Sequence, residues 1–154
     1  MTHNCFHILV YISETYKLKV KQGKTYLLRI INAALNQQHF FKIANHSFTV
    51  VAMDAIYTEH YNTDVVVLAP GQTVDVLMKT NQVVDSYYMV FTPYRSSNVD
   101  INNITTRGVL VYDGASQTKA PVMAIMPDAF DTPTAHKFYT NVTGMIKIGF
   151  HCRF

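Results

Sequence analysis

Short segments rich in β-branched and aromatic residues, each closed by a Gly, Pro or Asn turn signal, run in series from Tyr16 to Asp113. A strand and turn every roughly 8–12 residues is the rhythm of a β-sandwich or barrel. Tyr16 to Val20 alternates apolar and polar, as a half-buried strand does. After the Gln22-Gly23 turn, Thr25 to Asn32 has a nearly continuous apolar middle, which predicts a central strand covered on both faces. Asn36-Gln37-Gln38 is a polar loop, and His39 to Ile43 and Phe48 to Ala52 are strands joined through Asn45-His46-Ser47. Asp64 to Leu68 is strand-like by β-branching. In Ala69-Pro70-Gly71-Gln72, Pro fixes the first corner of a turn and Gly accepts positive φ at the second. Val74, Val76 and Met78 then alternate with Asp75, Leu77 and Lys79, and Tyr87 to Pro93 and Gly108 to Asp113 complete the series. No stretch carries a sustained helical period. The expected core is Leu28, Ile30, Phe41, Ile43, Val50, Val66, Val76, Met89 and Leu110.

Composition agrees with a packed β-domain. The chain has 154 residues, 49% hydrophobic and 15% charged, enough to bury a core and too apolar for disorder throughout. It carries 10 Tyr, 9 Phe and no Trp, which suits aromatic cross-strand pairs. Beyond Gly114 the character changes: Ala120-Pro121, Met126-Pro127 and Thr132-Pro133 punctuate an extended tail that pairs poorly as a strand. The organisation expected is a divergent segment 1–13, a sandwich domain 14–114, a linker-like tail 115–144 and a divergent segment 145–154.

A formal net charge of +3 with no Lys/Arg run argues against a nucleic-acid partner. No apolar run approaches the ~20 residues of a membrane span. Met1 to Ile12 has no basic residue before its apolar piece and no small-residue cleavage site after it, so it is a poor signal peptide. Cys5 and Cys152 stand at opposite ends, neither in a Cys-x-x-Cys pair, and read as two free thiols, with a single disulfide as the alternative.

Four segments occur in a telling order: Lys21-Gln-Gly-Lys-Thr-Tyr-Leu-Leu-Arg-Ile-Ile-Asn-Ala-Ala-Leu-Asn36, Phe40-Phe-Lys-Ile-Ala-Asn-His46, Val50-Val-Ala-Met-Asp-Ala-Ile-Tyr-Thr58 and Ala69-Pro-Gly-Gln-Thr73. With Asp131-Thr-Pro-Thr-Ala-His-Lys-Phe138 they resemble the middle, plastocyanin-like domain of plant laccases, which are secreted multicopper oxidases. The resemblance covers residues 14–144. It implies an all-β, cupredoxin-like Greek-key β-sandwich with an extended, Pro-punctuated C-terminal tail. It implies a parent enzyme of three such domains that oxidises phenols and lignin precursors in the apoplast and reduces dioxygen to water. The copper cofactor then belongs to the outer domains, and the middle one spaces them and helps wall the phenol pocket.

The residues of this chain agree with a domain that holds no copper. A blue-copper site needs two His, a Cys thiolate and a weak axial ligand converging. The trinuclear cluster implied by the family needs close His pairs, usually His-x-His. The 7 histidines stand at 3, 7, 39, 46, 60, 136 and 151, none separated by a single residue, and read as surface or loop side chains. Phe150-His151-Cys152-Arg153-Phe154 is similar to the His-Cys-His core of the last laccase domain. Arg153 stands where the second His belongs, however, and no further His or Met follows, so it reads as a coincidence. No catalytic, cofactor or metal residue is therefore expected, and Asp54 and Asp75 have no partner in sequence that would make either catalytic.

Asn36 falls in the loop where the resemblance places a residue that touches the phenol. An amide there can accept a hydrogen bond from a phenolic hydroxyl but cannot take its proton; a turn residue serving the local backbone is the competing reading. Asn45-His-Ser47, Asn103-Ile-Thr105 and Asn141-Val-Thr143 are N-glycosylation sequons, each placed at a turn or linker. The function expected is a laccase-like chain that is catalytically silent alone. The alternative is an interaction module whose apolar docking faces meet full-length laccases, other laccase domains or a second copy.

Overall fold

The computed structural model describes residues 15–96, 104–116 and 118–144. Nine strands are found there: β1 (Lys17–Val20), β2 (Thr25–Ile31), β3 (Gln38–Ile43), β4 (Phe48–Met53), β5 (Ile56–Thr63), β6 (Val66–Leu68), β7 (Thr73–Lys79), β8 (Ser86–Tyr94) and β9 (Thr106–Tyr112), followed by helix α1 (Thr132–Asn141). They form a five-stranded sheet, β1-β9-β8-β3-β6, and a four-stranded sheet, β2-β7-β4-β5. β1 runs parallel to β9 and the other pairs are antiparallel. Only β4–β5 and β8–β9 are sequence neighbours that also pair, so the chain crosses between sheets at most connections, the habit of a Greek-key sandwich.

Strand alternation builds the core. Val74, Val76 and Met78 of β7 point inward with Leu28 and Ile30 of β2 and Phe48, Val50 and Ala52 of β4. The facing sheet supplies Leu18, Phe41, Ile43, Met89 and Leu110. All nine residues expected inside are buried. Phe41 and Phe48 stack across the two sheets at 5.7 Å between ring centroids. The Pro70-Gly71 turn forms as its residues require: Gly71 has φ 77°, and the Gln72 amide donates to the Ala69 carbonyl at 3.1 Å.

Three expectations need correction. β2 is an edge strand buried on one face only; Ile31 on its other face is exposed, so its apolar run does not mark a strand covered on both sides. β5 has no counterpart in the sequence reading. As an edge strand with one buried residue, Thr58, it shows no apolar alternation to detect. The third correction is α1, a helix where no helical period was expected.

The tail is extended as far as Pro127, where Val122 pairs with β8 by accepting from the Tyr88 amide at 2.9 Å and donating to the Ser86 carbonyl at 2.8 Å. α1 then begins at Asp131, whose carboxylate accepts from the Thr134 amide at 3.0 Å and its hydroxyl at 2.7 Å. Pro133 falls in the first turn, where its missing N–H costs nothing. Ala135 and Phe138, three residues apart, are buried, with Phe138 edge-on to Tyr61 of β5 at 6.1 Å. Gly144 finally bridges to Thr58, so the segment straps both sheets together.

Candidate functional site

Asn45 turns β3 into β4 with φ 59°, a left-handed conformation that Asn tolerates, and this drives the next side chain, His46, into the core. His46 is only 3% exposed. Its Nδ1 lies 2.7 Å from the Ala44 carbonyl oxygen, and its Nε2 lies 2.7 Å from the Tyr112 hydroxyl. A carbonyl can only accept, so Nδ1 carries the proton, and in the neutral ring Nε2 accepts from Tyr112. Tyr87 meets the imidazole edge-on at 4.9 Å and donates its hydroxyl to the Val83 carbonyl at 2.8 Å. Burial pushes the His46 pKa below its ordinary 6.5, against the opposing pull of the Ala44 carbonyl. Burial likewise raises the Tyr112 phenol above 10.0. His46 lies in the β3–β4 loop, as a loop histidine would, but it is not at the surface: sequence shows a His in a turn, not that positive φ at Asn45 turns it inward.

The remaining histidines do not join it. His39 is half-buried against Phe91, at 6.4 Å, and burial lowers its pKa. His60 and His136 are exposed on β5 and α1. His3, His7, His151, Cys5 and Cys152 lie outside the described residues. Among the described residues no group of three or more His, Cys, Asp or Glu gathers as metal ligands would. With both nitrogens of its buried imidazole already engaged, this donor set does not fit a copper centre.

The polar residues near the β2–β3 loop divide their work. Asn36 is exposed beside Leu35, which is 98% exposed. The loop is organised instead by Asn32, whose side chain donates to the Gln37 and Leu68 carbonyls at 2.8 and 3.0 Å and accepts from the Ala34 amide at 3.0 Å. A polar residue closing an apolar strand was the available signal for Asn32. Asp54 clamps the neighbouring turn, accepting from the Thr73 amide at 2.8 Å, and Asp75 pairs bidentately with Arg29 at 2.9 Å. Both carboxylates are spent on structure.

On the outer face of the five-stranded sheet a groove of about 480 Å³ is bordered by Lys17, Lys19, Tyr88, Ser116 and Lys119. Lys119 is held by Asp85, which lowers the Asp85 pKa and raises that of Lys119. Of the sequons, Asn45 is exposed on its turn. Asn141 is the last residue of α1 rather than a linker residue and donates to the Lys137 carbonyl at 2.7 Å. Asn103 lies outside the described residues.

Comparison with known proteins gives a match to the multicopper oxidase family over residues 8–115. Laccase-9 of Arabidopsis thaliana is 53% identical over 134 residues, covering 85% of this chain and 23% of that protein. Laccase-7 of the same plant is 56% identical over 136 residues, 85% of this chain and 24% of that protein. Among solved structures, the laccase from Botrytis aclada superposes with a TM-score of 0.65 at 29% identity, covering 80% of this chain and 23% of that one. The chain therefore spans about a quarter of the length of the relatives it matches.

Proposed function

The chain belongs to the multicopper oxidase family, and we propose from that premise that it is the copper-free middle domain of a laccase-type enzyme. In that reading the whole enzyme oxidises phenols, lignin precursors among them, in the apoplast, while this domain spaces its neighbours and presents Asn36 to the phenol pocket. Asn45, Asn103 and Asn141 are its glycan acceptors. No helix among the described residues is long and apolar enough to cross a membrane.

The observation that carries the reading is the use made of His46. The buried imidazole serves the core through Ala44 and Tyr112 instead of facing a second ligand. A chain built this way is expected to show no phenol oxidase activity alone, since among the described residues no group of three or more His, Cys, Asp or Glu gathers to hold the copper that would accept electrons and bind dioxygen. Purified chain incubated with Cu(II) and then desalted is expected to retain no stoichiometric copper and to lack the blue thiolate charge-transfer band. About one tightly held copper per chain would overturn the reading.

A second reading, association with full-length laccase or with another copy, is favoured by Leu35, Ile56 (53% exposed) and Tyr57 (74% exposed), large apolar side chains on the surface. Sedimentation at rising concentration, with and without a full-length laccase, separates it from the first: a strictly monomeric species in both would remove it.

A further inference from the structure

Independently of copper, we propose that Tyr112 is a redox-active tyrosine whose one-electron oxidation is coupled to proton transfer onto His46. The pair stands ready for that step. Tyr112 is 1% exposed, its hydroxyl lies 2.7 Å from His46 Nε2, and the Ala44 carbonyl fixes the tautomer in which Nε2 is the acceptor. A diffusing one-electron oxidant, an aryloxyl radical or a metal complex, removes one electron from the phenol ring. The O–H bond breaks, its proton travels along the hydrogen bond, and the Nε2 lone pair forms the new N–H bond. The products are the reduced oxidant, a neutral phenoxyl radical and an imidazolium that still donates Nδ1–H to Ala44. Returning the electron returns the proton.

Neighbouring tyrosines lack this provision. The Tyr87 hydroxyl donates to a backbone carbonyl and that of Tyr94 to the Thr132 hydroxyl at 3.3 Å; neither acceptor is a base comparable to imidazole. Tyr57 is exposed, so a radical there meets solvent, and the Tyr139 hydroxyl donates to the Gln72 side-chain oxygen at 3.5 Å, again no base comparable to imidazole. Tyr87 lies edge-on to Tyr112 at 5.6 Å and covers it with a second aromatic ring. Burial favours the neutral phenol and the neutral imidazole alike, which keeps the donor and the acceptor in their working forms before oxidation.

The test is laser flash oxidation of the full chain with a photogenerated ruthenium(III) polypyridyl complex, followed by optical absorption and electron paramagnetic resonance. A long-lived phenoxyl signal is expected, with a slower onset in deuterated water. It should be lost in Tyr112→Phe and retained in Tyr57→Phe. A signal of unchanged yield and lifetime in Tyr112→Phe would overturn the proposal. Should that variant fail to fold, the unmodified chain decides: with ¹⁵N-labelled histidine, electron–nuclear double resonance is expected to detect an imidazole nitrogen coupled to the radical. Absence of that coupling sinks the assignment.

Discussion

The sandwich and the strap that follows it, residues 118–144, are held by different physics: of the strap only Ala135 and Phe138 are buried, whereas the two sheets share one continuous core. In the sandwich, flat strands present every second side chain to a facing layer, so one apolar residue in two is enough to build Phe41, Val50, Val76 and Leu110 into one core. The strap has no facing layer of its own. It is fixed at separate points along its length, among them the Val122 bridge, the Arg95 amide donating to the Ala129 carbonyl, the buried Ala135 and Phe138 of α1, and the Thr58–Gly144 bridge. The expectation from this difference is that the strap opens without dissolving the sandwich, whereas the sandwich does not survive the loss of a layer.

The most severe challenge to that contrast is Phe41→Ala. Phe41 packs between Phe48 of the opposite sheet and Phe91 of its own. Its truncation is expected to lower global stability by about 3–5 kcal/mol, read as a fall in the denaturant midpoint. A loss confined to one sheet, with the other still protected from amide exchange, would show that the two layers are not one cooperative unit.

Phe138→Ala removes a side chain of the same size, equally buried, from the strap. The local penalty is again about 3–5 kcal/mol, yet the expected result is faster amide exchange in α1 with the β7 and β4 amides still protected, because subglobal opening limits the damage. Uniform loss of protection would erase the distinction between the two regions. Asp131→Ala is gentler: the carboxylate that caps α1 through Thr134 is lost at about 0.5–2 kcal/mol. Asp131→Asn, which keeps an accepting oxygen, is expected to recover most of it, and failure to recover would mean that capping is not what starts the helix.

How much of each region could be read from sequence follows the same division. Period-two alternation exposed β7 and the buried positions Leu28, Ile30 and Val50 of its neighbours, and Pro70-Gly71 announced its turn, because these signals are local and the sheet only completes them. β5 stayed hidden since Ile56–Thr63 is an edge strand that buries only Thr58, and β2 was overread because its outer apolar residues look the same whether or not another layer covers them. α1 was missed for a different reason. Thr132-Pro133 reads as a strand breaker, yet Pro behind an Asp cap is equally a helix start. The candidate site was the least legible part. Asn36 could be placed on a loop, but His46 depends on a left-handed Asn45 and on Tyr112, 66 residues away, which no local pattern reports.

The smallest expected effect is graded with pH and belongs to the sandwich. Burial lowers the His46 pKa below 6.5, so the unfolded chain takes up the proton more readily than the folded one. The stability tied to the neutral ring is therefore present above about pH 6.5 and is lost as pH falls through the folded value. Protonation would put a second N–H on Nε2, facing the Tyr112 hydroxyl, which would have to stop donating there. Around the ring stand the uncharged phenols of Tyr112 and Tyr87, with the Asp85–Lys119 pair acting on Tyr87 from further out. His39, also lowered by burial, adds to the loss with the same sign. Asp85 acts elsewhere: its depressed pKa gives stability above its ordinary 3.8 that is lost only in stronger acid. Thermal midpoints measured from about pH 8 to about pH 5 are expected to decline through this window. His46→Gln, paired with His39→Gln to remove the second imidazole, is expected to flatten the curve even though it lowers the midpoint throughout. An unmodified chain whose midpoint is flat across that range would place the imidazole of His46 in solvent and break the contrast between a sealed sandwich and a strap laid over it.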